Sequence, residues 1–281
     1  MVNLHSYVAP CDKNPGHTAF IPTKTFTKER LPVRYHDDDI VDVVKLLAEV
    51  TVRIAVKVTS PARPDKLPGT DVPYPCYDLR GTKTLRTGTG YAGQVILRDA
   101  APCPCEECRT ADVPCDRWSE IHVTTSQHLV FDDIEAKKTA ARFWFDDDKS
   151  LLVSVNASQV LESDIEADRC VVMFITHDIQ LAMKLKETLS KLEEMRAKVN
   201  EKYGENDKLV VIVSHPHGCS KQVTVGEWEV QEVEKGKRRF AYTAPTCPGS
   251  GGAPVFVLSS KSQFFHTHSG TDNRLNYSSL C

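Results

Sequence analysis

No run of eighteen apolar residues occurs in the 281-residue chain, so no segment is expected to cross a bilayer as a helix. An excess of one charge is also missing. Thirty-five Lys and Arg stand against 38 Asp and Glu, a net charge of −3, and neither nucleic acid nor membrane is an expected partner. The opening residues, Met1-Val-Asn-Leu-His-Ser-Tyr-Val-Ala-Pro10, lack a basic start and an apolar core. No export signal is therefore read, and the expected compartment is cytoplasmic. A disordered composition is excluded as well, because 41% hydrophobic and 26% charged residues are ordinary for a globule. This length can bury one long all-β unit or two packed domains.

What the chain does have is ten cysteines. Without an export signal, thiols or metal ligands are expected ahead of a disulfide framework. Residues 102–116 place Cys103, Cys105, Cys108 and Cys115 within thirteen positions, stiffened by prolines. Four thiolates at about 2.3 Å suit one tetrahedral zinc, and such a site is structural because no coordination position stays open. The alternatives are local disulfides or unpaired surface thiols. His215 and His217, flanking Pro216, lack a nearby third ligand and are read as turn residues.

The remaining pattern is mostly β. Residues 1–36 have no periodicity and read as an irregular arm. Asp37-Asp-Asp39 then precedes Ile40, Val43, Val44 and Leu47, a helical spacing with acidic residues at the positive end of the dipole. Thr51–Val58 alternates as a strand, residues 60–76 carry five prolines and read as a surface loop, and Thr87–Leu97 reads as a bent strand. Residues 139–145 and 151–155 make a hairpin across a solvated Asp146-Asp-Asp148 turn. Residues 178–203 switch to helical spacing, with Leu185, Leu189, Leu192 and Val199 on one face. Leu209–Val213, Gln222–Val230 and Arg238–Thr243 are further strands.

The turn Thr246-Cys-Pro-Gly-Ser-Gly-Gly-Ala-Pro254 runs into the apolar Val255-Phe-Val-Leu258. It resembles the nucleophile loop of trypsin-like (chymotrypsin-fold) serine proteases, Cys-x-Gly-Asp-Ser-Gly-Gly-Pro-Val. Val123-Thr-Thr-Ser-Gln-His128-Leu-Val is similar to that family's general-base motif, and His122 does not match it. Asp168, before Arg-Cys-Val-Val-Met-Phe-Ile175, resembles the family's orienting acid, with Asp164 as the fallback. Phe264-Phe-His-Thr-His-Ser269-Gly270 looks like its substrate-facing strand.

The resemblance implies an all-β chymotrypsin-like double β-barrel over residues 51–281, preceded by an N-terminal arm and helix over 1–50. Insertions fall at 102–116 (Cys-rich) and 178–204 (helical). It implies a serine endopeptidase with Ser250 as nucleophile, His128 as base and then acid, and Asp168 orienting the ring. Backbone N–H groups of the Gly249 to Gly251 turn would hold the oxyanion, and a peptide or protein would be the substrate. The spacing departs at one place. Counting four residues from Cys247, or three back from Pro254, lands on Gly251, with Ser250 one place early. Either the loop shifts so that Ser250 reaches His128, or Gly251 holds the nucleophile position and the protein is a pseudoprotease that binds peptides or partner proteins. A third reading makes the zinc loop and long helix the working parts of a scaffold.

Overall fold

The computed structural model describes residues 3–7, 10–204, 206–234, 237–258, 260, 262, 265–272 and 275–279, so Phe264 of the last motif lies outside the described residues. The N-terminal arm folds as short 3-10 turns around β1 (Ile21–Pro22). It lies against the second half of the chain, since β1 pairs with Val223 and Gln222. Helix α1 (Asp38–Val50) starts where the acidic run stands, and the Asp37 side chain accepts from the Asp39 N–H as its cap. Ile40, Val43, Val44 and Leu47 are fully buried along one stripe of it.

Six strands follow: β2 (Thr51–Val56), β3 (Arg86–Arg98), β4 (Trp118–Thr125), β5 (Thr139–Phe143), β6 (Val153–Asp164) and β7 (Arg169–Thr176). All their pairings are antiparallel, and they close in the order β2-β3-β4-β7-β6-β5. Two short helices interrupt them, α2 (Glu106–Thr110) in the Cys-rich loop and α3 (Asp133–Ala136). The period-2 pattern explains the core: Val52, Ile54 and Val56 on β2 meet Ile121, Val123, Val172 and Phe174 in one apolar cluster. Phe174 is fully buried there, so trimming it to Ala costs about 3–5 kcal/mol.

Helix α4 (Ile179–Lys202) then crosses to the second half, capped by the Asp178 side chain. Leu181, Leu185, Leu192 and Val199 are its buried face, while Lys198 and Lys202 form ion pairs with Asp39 and Asp37 at the start of α1. Beyond it run β8 (Leu209–Ser214), β9 (Gln222–Glu234), β10 (Lys237–Tyr242), β11 (Pro254–Val257), β12 (His266–Asp272) and β13 (Leu275–Ser278). Their order is β9-β10-β13-β12-β11-β8, and pairing of β8 with β9 shuts the ring. Val210, Ile212, Phe240, Tyr242, Val255 and Val257 fill it. Counted within each half, both rings have the same strand order, 1-2-3-6-5-4, closing 4 onto 1. The fold is a double six-stranded antiparallel β-barrel.

Two sequence expectations change here. The 60–76 loop is not only surface, because Arg63 within it is 1% exposed. The Asp146–Asp148 turn is not merely solvated, because Asp146 pairs with buried Lys221 at 3.0 Å and Asp147 pairs with Lys24.

Candidate active site

His128 sits just past the end of β4, on a turn in which Leu129 N–H donates to the Ser126 carbonyl at 3.1 Å. A buried ion network fixes this turn from below. Arg63 donates to both Glu135 carboxylate oxygens at 2.7 Å and to the carbonyls of His128 (2.9 Å) and Pro75 (2.8 Å). Arg86 adds an ion pair to Glu135 at 2.9 Å and a bond to the Leu129 carbonyl. Burial opposes the charge on Glu135, yet the Arg63 bonds, the Ser60 N–H and Arg86 outweigh it and hold its carboxyl below the ordinary range. Tyr74 hydroxyl bonds Gln127 beside it. None of Arg63, Arg86, Glu135 or Tyr74 stands out in sequence, because nothing local to Arg63 marks a partner 72 positions away.

Asp168 lies in the β6–β7 turn with φ +50, the left-handed region that Asp tolerates better than most residues. Its carboxylate meets His128 twice: the ring Nδ1 at 2.8 Å from Oδ2, and the backbone N–H donating to Oδ1 at 2.9 Å. Ser269 Oγ, from β12 in the second barrel, donates to Oδ2 at 2.7 Å. Burial raises the carboxyl's proton affinity, but the facing His128 ring and these bonds prevail, so Asp168 titrates below its ordinary value. A carboxylate at Nδ1 places that ring proton there and leaves Nε2 as the free base. Asp164 is not the partner of the ring; its side chain accepts from the Ala167 N–H in the same turn. His122 pairs with Glu120 instead.

The serine differs from the endopeptidase expectation. Ser250 is fully buried, its Oγ 3.1 Å from Ser214 Oγ and accepting from Cys247 N–H at 3.3 Å. It therefore points into the second barrel, and the structure does not bring it to His128. Gly251 faces the ring instead: a Cβ placed on it would lie 3.0 Å from His128 Nε2 and 3.4 Å from Ser126 Oγ. Ser126 Oγ, unremarked in sequence, is 3.5 Å from Nε2. The backbone of this hydrogen-bonded turn decides which neighbour faces the base. Gly249 at φ +94 sets that backbone, and an added Cβ there would strike the His215 carbonyl at 2.7 Å. From the first barrel, Thr89 pins the turn by donating its N–H to Gly251 O (2.9 Å) and its Oγ1 to Gly249 O (2.8 Å). The N–H groups of Gly249 and Gly251 donate to none of the described residues. Cavities of about 730 and 550 Å³, lined around Trp228 and around Phe26 and Met195, are not bordered by any of these residues.

The Cys-rich loop is the second candidate centre. Cys103, Cys105, Cys108 and His177 bring four ligand atoms within 4.8 Å of one another. His177 Nε2 is 3.2, 3.5 and 3.8 Å from the sulfurs of Cys103, Cys108 and Cys105. Tetrahedral bonds of about 2.3 Å to sulfur and 2.0 Å to nitrogen put such pairs roughly 3.5 Å apart, so the donor set fits one metal ion. Cys115 is the correction: its Sγ turns to the Arg117 carbonyl at 3.1 Å, while its N–H donates to Cys108 Sγ at 3.5 Å. His177, the residue after β7, takes the fourth place. No spacing rule reaches it from Cys108, 69 positions earlier.

No family model matches the sequence, and no curated protein matches it. Among solved structures the chain is similar to the HtrA-type protease AlgW with decapeptide, at 12% identity and TM-score 0.44, covering 85% of this chain and 63% of that one. It thus spans under two thirds of AlgW. Similar likenesses reach Deg5 (12%, 0.44, covering 86% and 89%) and the active form of the Rv3671c protease from M. tuberculosis (13%, 0.44, covering 87% and 82%). The strand order and ring closure above define the architecture, which is the trypsin-like double barrel.

Proposed function

We propose that this chain is a pseudoprotease of trypsin-like fold, which holds an extended segment of a peptide or protein partner in the groove between its barrels without cutting it. The observation that carries the reading is the glycine beside His128 Nε2, with the neighbouring serine engaged to Ser214. Losing a serine nucleophile costs about six orders of magnitude in turnover. The N–H groups of Gly249 and Gly251, which donate to none of the described residues, and the Ser269–Gly270 stretch of β12 would grip a partner's backbone without needing a hydroxyl. The Cys103–Cys105–Cys108–His177 cluster is read as a structural zinc site that ties the β3–β4 loop to the start of α4.

Treatment of the wild-type protein with a fluorophosphonate, followed by intact-mass analysis, is the test. The expected result is no adduct. An adduct on Ser250 would restore the endopeptidase reading with a rearranged loop, and one on Ser126 would move the nucleophile to the first barrel.

A further inference from the structure

The arm supplies donors that no sequence pattern joined. Cys11 comes from the irregular stretch before the 3-10 turn Pro15–His17, His17 from that turn, His217 from the turn after β8, and Cys247 from the start of the Gly249–Gly251 turn. Their four ligand atoms lie within 4.8 Å of one another. Cys11 Sγ is 3.6 Å from Cys247 Sγ, and His17 Nε2 is 3.0 Å from His217 Nε2. Around a tetrahedral zinc, two sulfurs stand roughly 3.8 Å apart and two nitrogens about 3.3 Å. The sulfur separation is far above the roughly 2.05 Å of a disulfide.

The surroundings suit thiolates and oriented imidazoles. Asn14 donates its N–H to Cys11 Sγ at 3.4 Å and its Nδ2 to Cys247 Sγ at 3.2 Å. Tyr7 stacks on the His217 ring at 4.8 Å, and Phe20 meets the His17 ring edge-on at 5.5 Å. Both histidines hold left-handed backbones, φ +50 and +54, a conformation that costs energy unless something repays it. Cys247 and His17 are buried, so the cluster is walled off on one side.

We propose that Cys11, His17, His217 and Cys247 form a second structural zinc site, which staples the N-terminal arm to the turn carrying Gly249 and Gly251. Two thiols lose their protons to solvent, and two neutral imidazoles bind through Nε2, giving a neutral Cys2His2 centre with no open position for chemistry. His217 N–H also donates to the Pro248 carbonyl, so the metal would brace that turn from both sides. The reading of His217 as a plain turn residue is revised accordingly.

The full-length chain, purified under reducing conditions, should carry about two zinc ions per molecule by elemental analysis. Cys11→Ser and His217→Asn should each lower this to about one, as should the double variant Cys105→Ala/Cys108→Ala. Asparagine tolerates the left-handed backbone at 217. In the Cys105→Ala/Cys108→Ala background, cobalt should give thiolate-to-metal charge-transfer and tetrahedral d–d bands that disappear on adding Cys11→Ser. Should the variants misfold, anomalous scattering from wild-type crystals at the zinc edge should show a peak within bonding distance of Cys11 and Cys247. Three results overturn the proposal: zinc unchanged at two in folded Cys11→Ser and His217→Asn, no anomalous peak there, or a Cys11–Cys247 disulfide in freshly purified protein.

Discussion

Placing a serine at position 251 should convert the groove into a reactive one. The new Cβ would sit 3.0 Å from His128 Nε2 and 3.2 Å from Cε1, so the ring must give by a few tenths of an ångström. His128 can yield, because its side chain is 30% exposed. A hydroxyl one bond further on then falls within hydrogen-bond reach of Nε2, about 2.6–3.2 Å. A well-placed nucleophile is worth about 10⁶-fold, and misplacement by roughly 1 Å takes back about 10²-fold. Gly251→Ser should therefore react with a fluorophosphonate roughly 10⁴-fold faster than Gly251→Ala, which brings the same crowding without the hydroxyl. Adding His128→Ala should abolish the gain. The assay is the rate of mass increase of the intact protein, with the adduct mapped by peptide sequencing. A folded Gly251→Ser that remains inert, or a wild type labelled at Ser250, would refute the reasoning.

Four further outcomes follow from the same geometry. His177→Ala should lose the zinc of the Cys103 cluster, whereas Cys115→Ser should keep it, as read by elemental analysis. Ser250→Ala strands the buried Ser214 hydroxyl, so it should lower stability by about 1–3 kcal/mol in urea while leaving Gly251→Ser labelling intact. Arg63→Met takes from buried Glu135 one of its two arginine partners, leaving Arg86 and the Ser60 and Phe131 N–H groups, and should cost about 3 kcal/mol or more by chemical denaturation. His268 is buried against Tyr242, and burial, then Lys13 and His128, push its proton affinity from 6.5 down to about 3. The unfolded chain thus binds the extra proton between those values, and stability falls as pH falls through that window, by about 2 kcal/mol at pH 5. His268→Gln should flatten the difference in urea midpoint between pH 7 and pH 5, and an unchanged difference would remove His268 as its source.

Most of the barrel strands were legible in the sequence because each is a local pattern. Alternating Val52, Ile54 and Val56 must bury one face, and the apolar stripe of 178–203 must lie against something. The flanking counts that pointed to Gly251 were also local, since Cys247 and Pro254 sit on the same turn. The ion network beneath His128 was not legible, because Arg63 stands among prolines that signal only a loop. Nor was the role of Ser269: its motif marked a strand facing substrate, while its hydroxyl is spent on Asp168.

By itself the sequence determined the order of most of the barrel strands and of the two longer helices, the His-then-Asp order along the chain and the clustering of cysteines, all of which depend on neighbours within a few residues. Only the tertiary structure decided which side chains meet. It chose Gly251 over Ser250 through the backbone of one turn, and His177 over Cys115 through the end of β7. It also gathered Cys11, His17, His217 and Cys247 from positions up to 236 residues apart. Closing a ring of strands carries distant residues to one spot, and no spacing along the chain encodes where that spot will be.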